Sequence, residues 1–167
     1  MSMKSILWLT CCIVQSYFAC SQVKDPAYGL MLQHLLSHSV REISVQEAAE
    51  KSAGIIFLDA REKDEFEVSH LKNALPVGYD QFTLNTVKGI DKDARIVVYC
   101  SVGYRSEKVA EQLKNAGFSH VANLYGGIFE WVNENHPVYD QSGKITGNVH
   151  AYDHTWGVWL QKGEKIY

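Results

Sequence analysis

The residues whose types and spacing could perform chemistry are those of the segment 100–106, Cys-Ser-Val-Gly-Tyr-Arg-Ser. The segment follows an apolar run and precedes a helical pattern, so Cys100 is expected at the carboxyl end of a buried strand. Amides of a tight loop there, with the N-terminus of the following helix, favour a thiolate over a thiol. Gly103 lets the backbone turn around the sulfur, and Arg105 adds a fixed positive charge. Together these features predict a nucleophilic cysteine.

Ser106 has two expected roles beside this cysteine. It is a natural N-cap for the helix that follows, and its hydroxyl is expected to donate to the sulfur. A simpler interpretation makes Cys100 a small apolar residue, because cysteine is among the most frequently buried residue types. The spacing of Gly103, Arg105 and Ser106 after Cys100 favours the chemical interpretation.

The elements that must position this loop alternate along the chain. Apolar runs at 55–58, 95–100 and 121–125 predict buried strands, and helical spacing at 106–116 and 128–135 predicts helices. This alternation predicts a single α/β domain with an open, mainly parallel sheet flanked by helices, whose sites lie at the carboxyl ends of the strands. Ser44 is expected to cap a short helix at 46–51, and residues 82–87 are either helix or loop.

Changes of pattern divide the chain into four segments. Residues 1–21 have the pattern of a signal peptide, and 22–42 form a linker and a helix with leucines at near-helical spacing. The α/β domain is expected at 43–138. Residues 139–167 form a C-terminal extension, rich in glycine and aromatic residues, with a hairpin expected around Gly157 or Gly163.

The predicted signal peptide decides the fate of the other three cysteines. Lys4 precedes an apolar core at 6–14 that is too short to span a bilayer, so Cys11 and Cys12 leave with the signal. Cleavage before Gln22 gives a soluble chain; alternatively, Cys20 becomes the lipidated N-terminus of a bacterial lipoprotein. In both cases the chain is exported, to a bacterial periplasm or cell envelope. Neither leaves a disulfide framework within one mature chain.

The overall composition excludes several classes of partner. The 167 residues carry 16 basic and 19 acidic side chains, a net charge of −3, which argues against nucleic acid. No apolar run approaches the roughly twenty residues of a membrane-spanning helix, so membrane contact is expected only through a lipid on Cys20. His150, Asp153 and His154 would have metal-ligand spacing only on a helix, and none is firmly predicted there, so no metal site is expected.

With these residues in view, the chain resembles the single-domain rhodanese-like sulfurtransferases. Cys100, Gly103, Arg105 and Ser106 match the active loop of that family in type and spacing. The resemblance covers about residues 43–138 and departs from the family at Ser69, where glycine is usual, which leaves the local turn in question. Further agreement lies at 58–61, 65–66, 70–76, 125–128, 131 and 136–138.

The resemblance implies a sulfur relay that needs neither a metal nor an organic cofactor. Cys100 would attack the outer sulfur of a small anionic donor such as thiosulfate, carry it as a persulfide, and pass it to a thiol or cyanide acceptor. Arg105 is expected to orient the donor, whereas Asp59 and Arg61 are expected to form a structural ion pair. The predicted persulfide-binding loop consists of Ser101, Val102, Gly103, Tyr104, Arg105 and Ser106.

Two other functions stay open at this point. Phosphatases and arsenate reductases of related fold place five residues between the cysteine and the arginine. The four residues here predict a smaller ring of amides, matched to sulfur rather than to phosphate.

Rhodanese-like domains also serve as binding modules without turnover, usually with the cysteine replaced. The aromatic residues of the extension are either a docking surface or a cover for the sheet or a helix, and the cover is favoured: Tyr152, Trp156, Trp159 and Tyr167.

Overall fold

The computed structural model describes residues 22–167, so the predicted signal peptide and the predicted lipidation site Cys20 lie outside the described residues. Within them, the strand that leads into Cys100 lies at the centre of a parallel sheet. The sheet contains β1 (Arg41–Ile43), β2 (Ile55–Asp59), β3 (Leu75–Pro76), β4 (Arg95–Tyr99) and β5 (His120–Leu124). The strand order is β1-β5-β4-β2-β3, which confirms the predicted parallel α/β architecture.

Helices cover both faces of this sheet. In the described part of the chain they are α1 (Pro26–Leu35), α2 (Val45–Glu50), α3 (Lys63–Val68), α4 (Tyr104–Asn115) and α5 (Gly127–Asn133). One apolar cluster joins α1, α2 and α5 to one face, and a second joins α4 to the other. Successive side chains of β4 point to opposite faces of the sheet, so Val97 lies in the first cluster and Val98 in the second. Ser44 caps α2 as predicted, and residues Leu84–Val87 form a 3₁₀ turn.

The start of α4 differs from the prediction. Ser106 was expected to cap this helix, but α4 begins at Tyr104 and Gly103 occupies the N-cap position. Gly103 has φ +121°, a conformation that residues with side chains rarely adopt, so the helix cap lies three residues earlier than Ser106 suggests. The expectation for the cap is therefore wrong, and Ser106 lies inside the first turn of α4.

The C-terminal extension is part of the same core. Its first strand, β6 (Val138–Tyr139), pairs antiparallel with β7 (Ile145–Thr146), and β8 (Asn148–His150) pairs in parallel with β9 (Glu164–Ile166). The buried residues of the extension join the cluster that holds α1 and α5, and they include Val149, Ala151 and Leu160. The predicted boundary after residue 138 falls inside β6.

The hairpin of the extension lies elsewhere than predicted. It turns at 140–144 rather than at Gly157 or Gly163, because the Asp140 carboxylate accepts the Ser142 and Lys144 N–H groups and Gly143 has φ +77°. Gly157 instead begins a 3₁₀ turn at Gly157–Trp159. Gly163 precedes β9, whose partner β8 runs parallel to it.

Ser69 fits the local turn despite its departure from the family pattern. Its φ of −169° is extended backbone that any residue adopts, and its carbonyl accepts Arg61 Nη2 at 2.7 Å. No group of three metal-ligating side chains occurs among residues 22–167. His150 Nδ1 accepts the Tyr152 N–H, and His154 packs on Tyr167.

None of the helices in the described ranges is long and apolar enough to cross a membrane.

Candidate active site

The sulfur of Cys100 lies directly after the central strand, where the chain turns toward α4. The Gly103 N–H donates to Cys100 Sγ at 3.2 Å, and Ser106 Oγ lies 3.4 Å from the same sulfur. The residue is only 1% exposed, so only a small group reaches its sulfur. The sulfur contact predicted for Ser106 is therefore present, although its capping role is not.

The N-terminus of α5 holds the backbone on the other side of this loop. Ile128 N–H donates to the Cys100 carbonyl at 2.9 Å, and Phe129 N–H donates to the Ser101 carbonyl at 3.1 Å. Gly127 permits this approach, because a Cβ there would lie 2.5 Å from the Ser101 carbonyl oxygen and closer still to that of Cys100. In the sequence, Gly127 was notable only as part of the segment 125–128 that resembles the family. Its role in seating the loop is visible only in the structure.

Asn123 supports the loop from β5 and was missed in the sequence. Its Nδ2 donates to the Gly103 carbonyl at 3.0 Å, and its Oδ1 accepts from Ser106 Oγ at 2.7 Å. Both side chains are fully buried. The Ser106 hydroxyl carries one proton, so while it donates to Asn123 its lone pairs face the sulfur and can accept an S–H from Cys100. No local pattern in the sequence marks Asn123 as a partner of the loop.

Arg105 is bound to a carboxylate that the sequence did not identify as its partner. Its Nη1 and Nη2 donate to Glu65 Oε2 and Oε1 at 2.6 and 2.7 Å, a bidentate ion pair with side chains 14% and 4% exposed. Nη2 also donates to Ser101 Oγ at 3.0 Å, and Ser101 Oγ donates to Glu65 at 3.2 Å. The Arg105 guanidinium, which was predicted to orient a donor, is therefore already bound to Glu65.

The pKa values of this pair have opposite shifts. Burial raises the pKa of Glu65, but the hydrogen bonds and charge of Arg105 outweigh burial and hold it below its ordinary value. Burial lowers the pKa of Arg105, but the hydrogen bonds that Arg105 donates to Glu65, together with the nearby Cys100, outweigh burial and raise this pKa. Both groups are charged at neutral pH, and their charges cancel locally.

Asp59 and Arg61 lie at the end of β2 as a separate ion pair. Arg61 Nη2 donates to Asp59 Oδ2 at 2.6 Å and Nε to Oδ1 at 3.0 Å, and neither side chain is exposed. Burial lowers the pKa of Arg61, but the Asp59 carboxylate raises it above the ordinary value. Arg61 reaches the Ser69 carbonyl rather than Cys100, so the pair joins β2 to the turn after α3.

A cavity of about 520 Å³ opens beside Cys100. Its size falls in the range of small-molecule sites, which is on the order of 300–1,000 Å³. The loop contributes Val102, which is buried, and Tyr104, which is 42% exposed. The rest of the wall comes from other parts of the chain: Leu35 of α1, Glu62, Tyr79 and Asp80 near β3, and Tyr152 and Trp156 of the extension.

Tyr152 lies at the rim of this cavity in an unusual backbone conformation. Its φ is +66°, rare for an aromatic residue, and its ring lies 5.1 Å from the Arg105 guanidinium carbon. Trp156 packs in part on the core, Trp159 stacks on Tyr28 with ring centroids 5.2 Å apart, and Tyr167 contacts His154. The aromatic residues of the extension therefore divide between covering the fold and lining the cavity.

Comparison with known proteins identifies the domain. The model of the rhodanese-like domain matches residues 44–134. Among curated proteins, the tRNA uridine(34) hydroxylase of Hamiltonella defensa is 35% identical over 105 residues, which cover 60% of this chain and 28% of that protein. This chain therefore spans about a quarter of the length of that relative.

Solved structures agree with the domain assignment. A rhodanese-related protein from Thermoplasma volcanium has 27% identity and a TM-score of 0.54, over 59% of this chain and 96% of that one. A thiosulfate sulfurtransferase from Pseudomonas aeruginosa has 23% identity and a TM-score of 0.56, over 71% of this chain and 23% of that one. The second likeness shows the shared fold.

Proposed function

This chain belongs to the rhodanese-like domain family, and from that premise we propose that it is a sulfurtransferase that carries sulfane sulfur on Cys100. The observation that carries the proposal is the surroundings of the sulfur. An amide at 3.2 Å and a hydroxyl at 3.4 Å face Cys100 Sγ beside a cavity of about 520 Å³. The Gly103 N–H donates to the sulfur and stabilises it as an anion, whether thiolate or persulfide, and the Ser106 hydroxyl adds a second donor only when its proton turns from Asn123 to the sulfur.

In the first half-reaction the Cys100 thiolate attacks the outer sulfur of a donor. With thiosulfate, the new S–S bond forms to Cys100, the bond between the two donor sulfurs breaks, and sulfite leaves with the electron pair. In the second half, a thiol or cyanide acceptor attacks the outer sulfur and Cys100 leaves as thiolate. The two halves form a covalent relay that runs through one side chain and calls for no cofactor.

The dimensions of the site favour sulfur over a phosphoryl group. Cys100 is 1% exposed, and four residues separate it from Arg105, whose two terminal nitrogens are bound to Glu65. A phosphatase needs a guanidinium free to clamp two oxygens of a tetrahedral anion. The occupied guanidinium argues against that chemistry and supports a role for Arg105 in holding the loop.

Similarity alone does not assign to this chain the activity for which the curated relatives are named. The match covers 28% of the Hamiltonella protein, and the net charge of −3 disfavours an RNA partner. We propose a small sulfur compound as donor and a thiol or cyanide as acceptor. We also propose export, on the basis of the basic start and apolar core of residues 1–21.

Mass spectrometry of protein recovered from the envelope of expressing cells tests these proposals together. Incubation with thiosulfate or excess polysulfide is expected to add the mass of one sulfur atom at Cys100, removable by cyanide. The same spectrum reports whether the chain starts at Gln22 or at a lipidated Cys20. Cys100→Ser is expected to abolish the adduct while leaving the unfolding transition nearly unchanged. A folded protein that forms no adduct would identify a binding module instead.

A further inference from the structure

The charges around the cavity do not suit an anionic partner. Glu62 and Asp80 line it, and Arg105 is neutralised by Glu65, so these four side chains sum to two negative charges. The Gly103 amide and the N-terminus of α4 favour an anion at the sulfur of Cys100 itself rather than in the wider cavity. A second anion that enters the cavity, an anionic donor such as thiosulfate included, meets this net negative charge at short range, so we expect anionic partners to react more slowly than neutral ones without being excluded.

The remaining walls of the cavity are mostly apolar or aromatic. Tyr152 and Trp156 come from the extension, which lies outside the segment that matches the family model, and Leu35 comes from α1 before that segment. Leu35 and Trp156 are only partly buried, although both pack against the core, so the cavity leaves apolar surface for a ligand to cover. Tyr152 lines the cavity with its ring 5.1 Å from the Arg105 guanidinium carbon, and the residue is 49% exposed, so a ligand that packs on this ring covers apolar surface.

We propose, as an extension of the sulfurtransferase function above, that the acceptor of the Cys100 sulfur is a small organic thiol whose body is apolar and carries no negative charge. Its sulfur reaches Cys100, and its body packs on Tyr152 and Trp156. The acceptor thiol gives its proton to the outer sulfur of the Cys100 persulfide, the resulting acceptor thiolate attacks that sulfur, and the S–S bond to Cys100 breaks. The electron pair stays on Cys100 Sγ, and the acceptor leaves as its own persulfide.

The test measures discharge of the persulfide by three thiols that differ in their bodies. Protein loaded with excess polysulfide and freed of reagent is mixed with 2-phenylethanethiol, 2-mercaptoethanol or 2-mercaptoethanesulfonate, and the rates are normalised to thiolate concentration. The aromatic thiol is expected to react about tenfold faster than the sulfonate, with mercaptoethanol between them. Equal rates, or a faster sulfonate, would overturn this proposal, whereas failure to load any sulfur would overturn the proposed function itself.

Two variants separate the aromatic contribution from the fold. Tyr152→Asn removes the ring with a residue that accepts positive φ, and is expected to bring the phenylethanethiol rate close to the mercaptoethanol rate. Val158→Ala, at an exposed position of the extension that does not line the cavity, is expected to leave the ratio unchanged. A ratio that survives in Tyr152→Asn contradicts the assignment of Tyr152.

A second pair of variants tests the charge. Asp80→Asn removes a negative charge from the cavity wall and is expected to raise the sulfonate rate several-fold relative to the mercaptoethanol rate of the same variant. Glu50→Gln removes the same charge from the exposed end of α2, away from the cavity, and is expected to change neither rate. Equal gains in the two variants would refute a local effect of the cavity charge.

Discussion

At the scale of single residues, the ion pair of Glu65 and Arg105 determines the charge next to the reactive sulfur. The two side chains are nearly buried and joined by two hydrogen bonds, so each depends on the other for solvation. The guanidinium is thereby held against Ser101 of the loop rather than released into the cavity. Arg105 is therefore positioned to support the loop through Ser101.

Removing one partner of this pair is expected to destabilise the protein. Arg105→Met leaves the Glu65 carboxylate buried without its cation, which costs about 3 kcal/mol in the free energy of unfolding measured by urea denaturation. The matched control is the double variant Arg105→Met with Glu65→Leu, which is expected to recover most of the loss because no buried charge is left alone. A double variant as unstable as the single one would refute the explanation.

The same pair gives the stability a pH dependence of known sign. The pKa of Glu65 lies below its ordinary value, so the pair stabilises the fold above the unfolded pKa of about 4.3 and the contribution is lost as pH falls through the folded pKa. The difference in unfolding free energy between the natural protein and Glu65→Gln is expected to shrink in acid. A difference that does not change with pH would show that titration of Glu65 does not cause the pH dependence of the stability.

At the scale of elements, the loop is formed between two helix N-termini. α4 follows it in the chain, and α5 donates two amides to its carbonyl oxygens from the other side. Gly127 makes the second contact feasible, because any Cβ there would overlap the carbonyl oxygens of Cys100 and Ser101.

Gly127→Ala is therefore expected to displace the loop. The variant carries the cost of positive φ and a steric overlap, and it is expected to unfold about 1–3 kcal/mol more easily than a control with the φ cost alone. Gly143→Ala is that control, since Gly143 has φ +77° and open space around its Cβ position. Sulfur loading of Cys100 is expected to fall only in Gly127→Ala, and equal behaviour of the two variants would contradict the seating role of α5.

At the scale of the whole molecule, the C-terminal extension connects the far end of the chain to the loop. Trp159 stacks on Tyr28, and Tyr28 donates to the Gly126 carbonyl at 2.8 Å, directly before α5. Asn133 of α5 also accepts and donates hydrogen bonds with the backbone of the extension. The extension therefore supports the helix that holds the loop, besides lining the cavity.

Trp159→Ala is expected to show this support. Loss of the half-buried ring from Tyr28 is expected to lower the free energy of unfolding by about 2 kcal/mol, less than the roughly 3–5 kcal/mol of a fully buried ring. Val158→Ala, one residue earlier and exposed, is expected to change it by less than about 0.5 kcal/mol. Denaturation curves that coincide for the two variants would show that the contact of Trp159 with Tyr28 does not stabilise the fold.

The sequence alone determined the features that depend on neighbouring residues. Apolar runs marked β2 and β4, because strands buried on both faces need no polar alternation. The strand β5 was also predicted, although its apolar residues are interrupted by Asn123. The order of strand, Cys100, glycine and helix predicted that the candidate loop lies at the carboxyl edge of the sheet, where the structure has it. The boundary errors, such as the start of α4 at Tyr104, arose where a glycine conformation rather than a polar side chain sets the helix start.

Only the tertiary structure decided what surrounds the sulfur. Glu65 is forty residues from Arg105, and Asn123 is seventeen from Ser106, so no local spacing reveals either pair. Tyr152 and Leu35 reach the cavity from segments on opposite sides of the matched domain. Helix and strand signals are local, whereas the charge and shape of a site depend on side chains that folding brings together from distant parts of the chain. The candidate nucleophile Cys100 was thus predicted from the sequence, and the proposal for its acceptor depends on the packing around it.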